Sequence, residues 1–99
     1  MIARVTWGKI KPGKWDEFKR LWQDYSASEQ GAGATGRLLL RDSATPDAGY
    51  SISLWESEEA FQSSTSANPP PSAMIDCFVG QYVTTITEVS GSTFAGIAI

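Results

Sequence analysis

The chain contains no histidine, and its single cysteine is Cys77. Without histidine the usual ligand sets for zinc, copper and haem iron are missing, and so are Ser-His and Cys-His nucleophilic pairs. Proton transfer is left to carboxylates, tyrosines or the acidity of a substrate. A lone cysteine forbids an intrachain disulfide and reads as a small buried apolar side chain. No apolar run approaches the roughly 20 residues that span a bilayer. The start, Met1-Ile2-Ala3-Arg4-Val5, lacks the charged head, apolar stretch and cleavage site of a secretion signal. A cytoplasmic protein with no membrane partner is expected. Cations are few as well, 8 Lys and Arg against 11 Asp and Glu, for a net charge of −3. Lys9, Lys11, Lys14, Lys19 and Arg20 are scattered, which argues against nucleic acid as a partner.

Aromatic residues are plentiful, with four Trp, four Phe and three Tyr in 99 residues, enough for one globular core. The expected division is one domain over 1–90 and an apolar tail over 91–99 that lies against another surface. Residues 2–10 alternate as a first strand, with Ala3, Val5 and Trp7 on one face and Arg4 and Thr6 on the other. Lys11-Pro12-Gly13 ends it. Trp15, Phe18, Leu21, Trp22 and Tyr25 recur at three- and four-residue spacing and predict a helix over 14–28. That stripe reads as core, with Trp22 and Tyr25 placed to edge a pocket. The glycines of 31–36 do not make a phosphate loop, because no Lys-Ser/Thr follows and the next segment, 37–42, reads as a strand.

A loop carrying Pro46, Asp47 and Gly49 then turns the chain into a strand over 50–55, which predicts an antiparallel hairpin. In this strand Tyr50, Ile52 and Leu54 share one face, and Ser51, Ser53 and Trp55 share the other. Ser57 reads as an N-cap and Glu58 and Glu59 suit the positive end of a helix over 57–66, which Pro69-Pro70-Pro71 must stop. A further helical turn over 72–77 and a long last strand over 78–89 complete the pattern. The order β-α-β-β-α-β predicts an α+β, ferredoxin-like split βαβ fold, with a four-stranded antiparallel sheet covered by helices on one face. The bare face, including Val5 and Trp7, predicts a homodimer packed sheet on sheet as a dimeric α/β barrel. Serines beside an indole suggest a wall for a polar aromatic ligand. Parity alone does not say whether that wall faces the helices or the dimer partner.

Arg4-Val5-Thr6 leading into Lys11-Pro12-Gly13-Lys14, the segment from Trp55 to Phe61, and Phe78-Val79-Gly80-Gln81-Tyr82 resemble the antibiotic biosynthesis monooxygenase-like proteins of the dimeric α/β barrel superfamily. The resemblance implies a monooxygenase or oxidase that needs no metal, flavin or other cofactor and acts on a phenolic, polyketide or quinol-like small molecule. In anthrone-oxidising members the site holds an Asn, a Trp and a Tyr. The Trp falls on Trp55, the Asn on Ser51, and the Tyr on Phe61, which has no proton to give. Trp55 and Ser51 are thus the candidate catalytic residues, with Arg4, Thr6, Trp22, Tyr25, Ser53, Phe61 and Tyr82 as candidate substrate contacts. For Arg4 an ion pair with Glu88 or Asp42 is the plainer expectation, and for Trp55 a core indole. The haem-degrading branch fits worse: its helical His has no counterpart, its first-strand Asn falls on Thr6 and its second-helix Trp falls near Ser64. Alternative uses are a dimeric binding module for an apolar metabolite and an isomerase or cyclase on the same scaffold, with Tyr82, Asp76 or Arg4 moving the proton.

Overall fold

The alternating run after Met1 forms β1 (Ile2–Lys9) in the computed structural model, which describes residues 1–31 and 33–93. The aromatic stripe then makes α1 (Trp15–Gly31), with Asp16 and Glu17 in its first turn to suit the helix dipole. This helix runs one turn beyond the expected end and so carries Glu29, whose side chain is 2% exposed. β2 (Gly36–Arg41) and β3 (Ala48–Trp55) form the expected hairpin, its loop folded around Asp42 Oδ1, which accepts from Ala44 N at 2.8 Å. α2 (Glu58–Ala67) starts at Ser57, whose hydroxyl accepts from Ala60 N at 3.1 Å. After the prolines comes the single turn α3 (Ser72–Ile75).

The last strand departs from expectation. Only β4 (Val83–Glu88) forms, while Phe78 makes an isolated antiparallel bridge to Ile10 and Gly80 takes a left-handed φ of 68°. A left-handed residue breaks the pleat, so side-chain alternation across 78–82 does not produce a continuous ladder. Phe78 instead turns its ring edge-on to Phe18, with centroids 5.3 Å apart. Space for that ring exists because Gly8 has no side chain, and a Cβ there would overlap it.

The sheet order is β2-β3-β1-β4 with every neighbouring pair antiparallel, the ferredoxin-like α+β arrangement. Register decides which side chains share a face. Arg4 stands opposite Ser53 and Ile86, Thr6 opposite Ser51 and Thr84, and Arg37 opposite Ser53, all on the helix-covered side. Val5, Trp7, Leu38, Leu40, Tyr50, Ile52 and Val83 share the other side, on which no helix packs among the described residues; there Leu40 is 41% exposed and Val83 61%.

Helices and sheet enclose two apolar clusters. One holds Ile10, Trp15, Phe18, Met74 and Cys77, and the other Ala34, Trp55 and Phe61 with Ile2 and Ala60 packed against them. Along β3 the contacts run from Gly49 at Trp15 through Ser51 and Ser53 to Trp55, so the segment between the clusters is polar. No described helix is long and apolar enough to cross a membrane. The apolar tail expected over 91–99 lies outside the described residues from 94 onward.

Candidate functional site

Between the two apolar clusters, the covered face of the sheet meets α1 and α2 around a small cavity of about 80 Å³. β1 supplies Arg4 and Thr6 to its lining, β3 Ser51 and Ser53, and α1 Trp22, Tyr25 and Glu29; Arg37 comes from β2, Thr65 from α2 and Tyr82 from the segment before β4. The two serines are oriented by tryptophans. Trp22 Nε1 donates to Ser51 Oγ at 2.8 Å, and Trp55 Nε1 donates to Ser53 Oγ at 2.9 Å. A hydroxyl that accepts an indole hydrogen still has its own O–H to give, so each serine is left as a donor toward the cavity. Thr65 Oγ1 is buried without a protein partner and remains for a ligand or a water.

Other polar groups are tied into the scaffold. Tyr25 Oη donates to Asn68 O at 2.9 Å and Asn68 Nδ2 donates to Ser28 Oγ at 2.9 Å, which fastens α1 to the end of α2. The hydroxyls of Thr6 and Thr84 lie 3.0 Å apart and join β1 to β4. Arg37 Nε donates to Ser26 Oγ at 3.2 Å, and its Nη1 sits 2.7 Å from Glu29 Oε1. That last contact is ionic in character, because Oε1 has no aligned hydrogen bond.

Burial sets the protonation of this cluster. It holds the Glu29 carboxyl above the usual carboxylate value of 4.5, against the opposing pull of Arg37 and then Arg4. Tyr25 is raised above 10.0, first by burial and then by the Glu29 charge, while Arg37 is lowered by burial despite Glu29. Arg4 makes no ion pair with Glu88 or Asp42; its guanidinium lies over the Phe61 ring, 4.6 Å from the centroid.

The sequence-derived candidates fall into two groups. Arg4, Thr6, Trp22, Tyr25, Ser51, Ser53 and Tyr82 converge on the cavity. Trp55 and Phe61 stand behind its wall: the indole is fully buried, its N–H is held by Ser53, and its ring meets Phe61 edge-on at 5.4 Å. Neither lines the cavity. Glu29 and Arg37, the buried ion pair, were not among the candidates. The signal for Glu29 was its place on the inward stripe of α1, seven residues after Trp22 and four after Tyr25, where a carboxylate is out of character. Arg37 shares the parity of Leu39 and Arg41 on an edge strand, which by itself says little.

A second, open groove of about 530 Å³ runs outside this cavity between α1 and β2. Arg41 stacks on Trp15 at 4.9 Å and Arg37 on Trp22 at 5.2 Å along it. Trp22 and Arg37 line both spaces and form the partition between them. The polar groups converge on the inner cavity, so that is the better candidate site despite the outer groove's larger volume. Among the described residues no group of three or more His, Cys, Asp or Glu could hold a metal ion.

No curated protein matches this chain by sequence. Solved structures do match over nearly the full length. A Caulobacter crescentus protein assigned as an antibiotic biosynthesis monooxygenase is 20% identical, with 91% of this chain and 90% of that one covered and a TM-score of 0.81. SnoaB, a cofactor-independent oxygenase from Streptomyces nogalater, is 15% identical over 92% and 94% of the two chains, with a TM-score of 0.79. MhuD, solved with two manganese protoporphyrin IX molecules per active site, is 20% identical over 96% and 100%, with a TM-score of 0.73. At such identities the likeness speaks for the fold alone. The family model for antibiotic biosynthesis monooxygenase matches residues 1–69, well over half of the chain. With that match lying over the ferredoxin-like sheet, this chain belongs to the antibiotic biosynthesis monooxygenase family.

Proposed function

We propose that the protein is a cofactor-independent monooxygenase or oxidase of a phenolic, polyketide or quinol-like small molecule. The observation that carries this reading is the walled cavity, in which tryptophan, tyrosine, serine and arginine side chains converge between sheet and helices. Such a site can orient an ionisable ring and stabilise its anion. The deprotonated ring passes one electron to dioxygen, and the radical pair combines at carbon as a hydroperoxide. Loss of water then turns an anthrone-type CH2 into a carbonyl, with the second oxygen atom leaving in the water. Ser51, Ser53, Arg4, Thr6, Trp22, Tyr25 and Tyr82 are the proposed contacts, while Trp55 and Phe61 hold the wall. A ring system larger than the cavity reaches the outer groove if the Trp22–Arg37 partition swings aside.

The working unit is proposed to be a homodimer in the cytoplasm, joined through the apolar bare face of the sheet, so that each protomer keeps its own cavity. A binding module without turnover is the second reading, favoured by Phe61, since the tyrosine of anthrone-oxidising relatives is missing there. Oxygen uptake by metal-stripped protein over a panel of anthrones and naphthoquinols tests the choice. Uptake faster than in buffer is expected. Compounds that quench tryptophan fluorescence but consume no oxygen beyond the buffer rate would leave only the binding module.

A further inference from the structure

A carboxylate is costly at the place where the fold puts Glu29. It sits in the last turn of α1, where the helix dipole is negative and no basic residue offsets it, and its side chain is only 2% exposed. Arg37 Nη1 lies 2.7 Å from Oε1 but is not aligned to donate, so that oxygen has no hydrogen-bond partner. Glu29 lines the inner cavity. The other titratable groups around that cavity are Arg4 from β1, Arg37 from β2, Tyr25 from α1 and Tyr82 ahead of β4, while β3 and α2 contribute hydroxyls. Guanidiniums cannot accept a proton at neutral pH, and the tyrosines are phenols there, Tyr25 with its O–H already given to Asn68 O. Among the described residues Glu29 is therefore the one titratable group lining the cavity that can take up a proton at pH 7.

We propose that Glu29 is the catalytic base of the cavity, taking a proton from an acidic O–H or C–H of the aromatic ligand. The inference rests on reading this cavity as the ligand site and adds the residue that performs the proton transfer. A carboxylate oxygen of Glu29 bonds the proton, the ligand's O–H or C–H bond breaks, and its electron pair stays on the ring. Once dioxygen has added, the Glu29 acid gives the proton to the peroxide anion, and the carboxylate is regenerated. Two opposing effects suit this task. Burial makes the carboxylate a stronger base than one in water, while Arg37 and then Arg4 favour its ionised form. A group that is costly to the fold and faces a cavity is where function is to be sought.

Anthrone and 2-indanone carry acidic CH2 groups whose protons exchange with D2O under nitrogen, where no oxidation follows, and NMR reads the rate. The wild type is expected to speed this exchange about a hundredfold over buffer. Its rate should fall in acid, as the carboxyl takes up a proton above the usual 4.5, and level off by about pH 8. Glu29→Gln should return exchange to the buffer rate while tryptophan quenching still reports bound ketone, and Glu29→Asp should restore part of the rate. Exchange kept by a folded Glu29→Gln, or a wild-type rate still climbing about tenfold per pH unit between about 7 and 9, would overturn the assignment. The pH profile decides alone if Glu29→Gln does not fold. Ketones that bind the wild type without faster exchange would overturn it too. Exchange that depends on Glu29 with no oxygen uptake would keep the base and remove the oxidase reading, whereas oxygen uptake indifferent to Glu29→Gln would do the reverse. Failure of both ketones to bind would remove the ligand site and the base with it.

Discussion

Between the two apolar clusters the faces of the sheet are inverted relative to the usual arrangement. The face that helices cover carries Arg4, Thr6, Ser51, Ser53 and Arg37, with Glu29 pressed onto it from α1. The face left bare carries Val5, Trp7, Leu38, Leu40, Ile52 and Val83. A domain selected only to fold would put the apolar side chains inside and the polar ones in water. Here polar groups have been kept inside, where each needs a partner, and apolar ones outside, where they need a cover. The first half of that inversion suits the proposed site, and the second the proposed dimer interface.

Removing the partner of a buried charge should do the most damage. Glu29→Gln leaves Arg37 inside without a counter-charge and is expected to cost about 3–5 kcal/mol in urea unfolding at neutral pH. Arg37→Met should behave differently with pH. Burial raises the Glu29 carboxyl above its unfolded value, so between 4.5 and the folded value the native state binds more protons than the unfolded state, and stability falls as pH rises through that window. Without Arg37 the carboxyl rises further and takes up a proton in acid. The cost of Arg37→Met is therefore expected to be smaller at pH 5 than at pH 8, while that of Glu29→Gln is expected to be larger at pH 5, because the variant lacks the carboxyl whose proton uptake steadies the wild type in acid. Parallel unfolding curves at the two pH values check this, and an equal cost for Arg37→Met at both would mean that Glu29 is not held up by burial.

On the bare face Ile52→Lys should leave the protomer folded but weaken its self-association by about 2 kcal/mol, seen as dissociation in sedimentation at micromolar concentration. A wild-type protein that sediments as a stable monomer would contradict the interface half of the comparison. Trp55→Phe removes the N–H that orients Ser53 and is expected to cost about 1–3 kcal/mol of stability, with a smaller loss of ligand affinity. A large affinity loss at unchanged stability would move Trp55 from the wall to the site. The smallest effect is expected at the entrance to α2, where Ser57→Ala loses one cap hydrogen bond, about 1 kcal/mol.

Much of this was legible along the chain. The period-2 runs gave the strands and their faces, and the aromatic stripe gave α1, because alternation and helical spacing are properties of neighbouring residues. Ser57 announced its helix for the same reason. The last strand was misjudged, since Gly80 can enter a left-handed conformation that alternation does not reveal. Glu29 was missed because the helix was ended one turn early, and Arg37 because its partner lies eight positions away on another element.

By itself the sequence determined the element order, the split of side chains between two faces and the lack of any imidazole chemistry, all consequences of local spacing and composition. Which face the helices cover, that Trp55 gives its N–H to Ser53, and that Arg37 finds Glu29 while Arg4 rests on Phe61 were decided by the tertiary structure. Those outcomes depend on distances between residues far apart in the chain, and such distances exist only once the sheet has its register and the helices have packed on it.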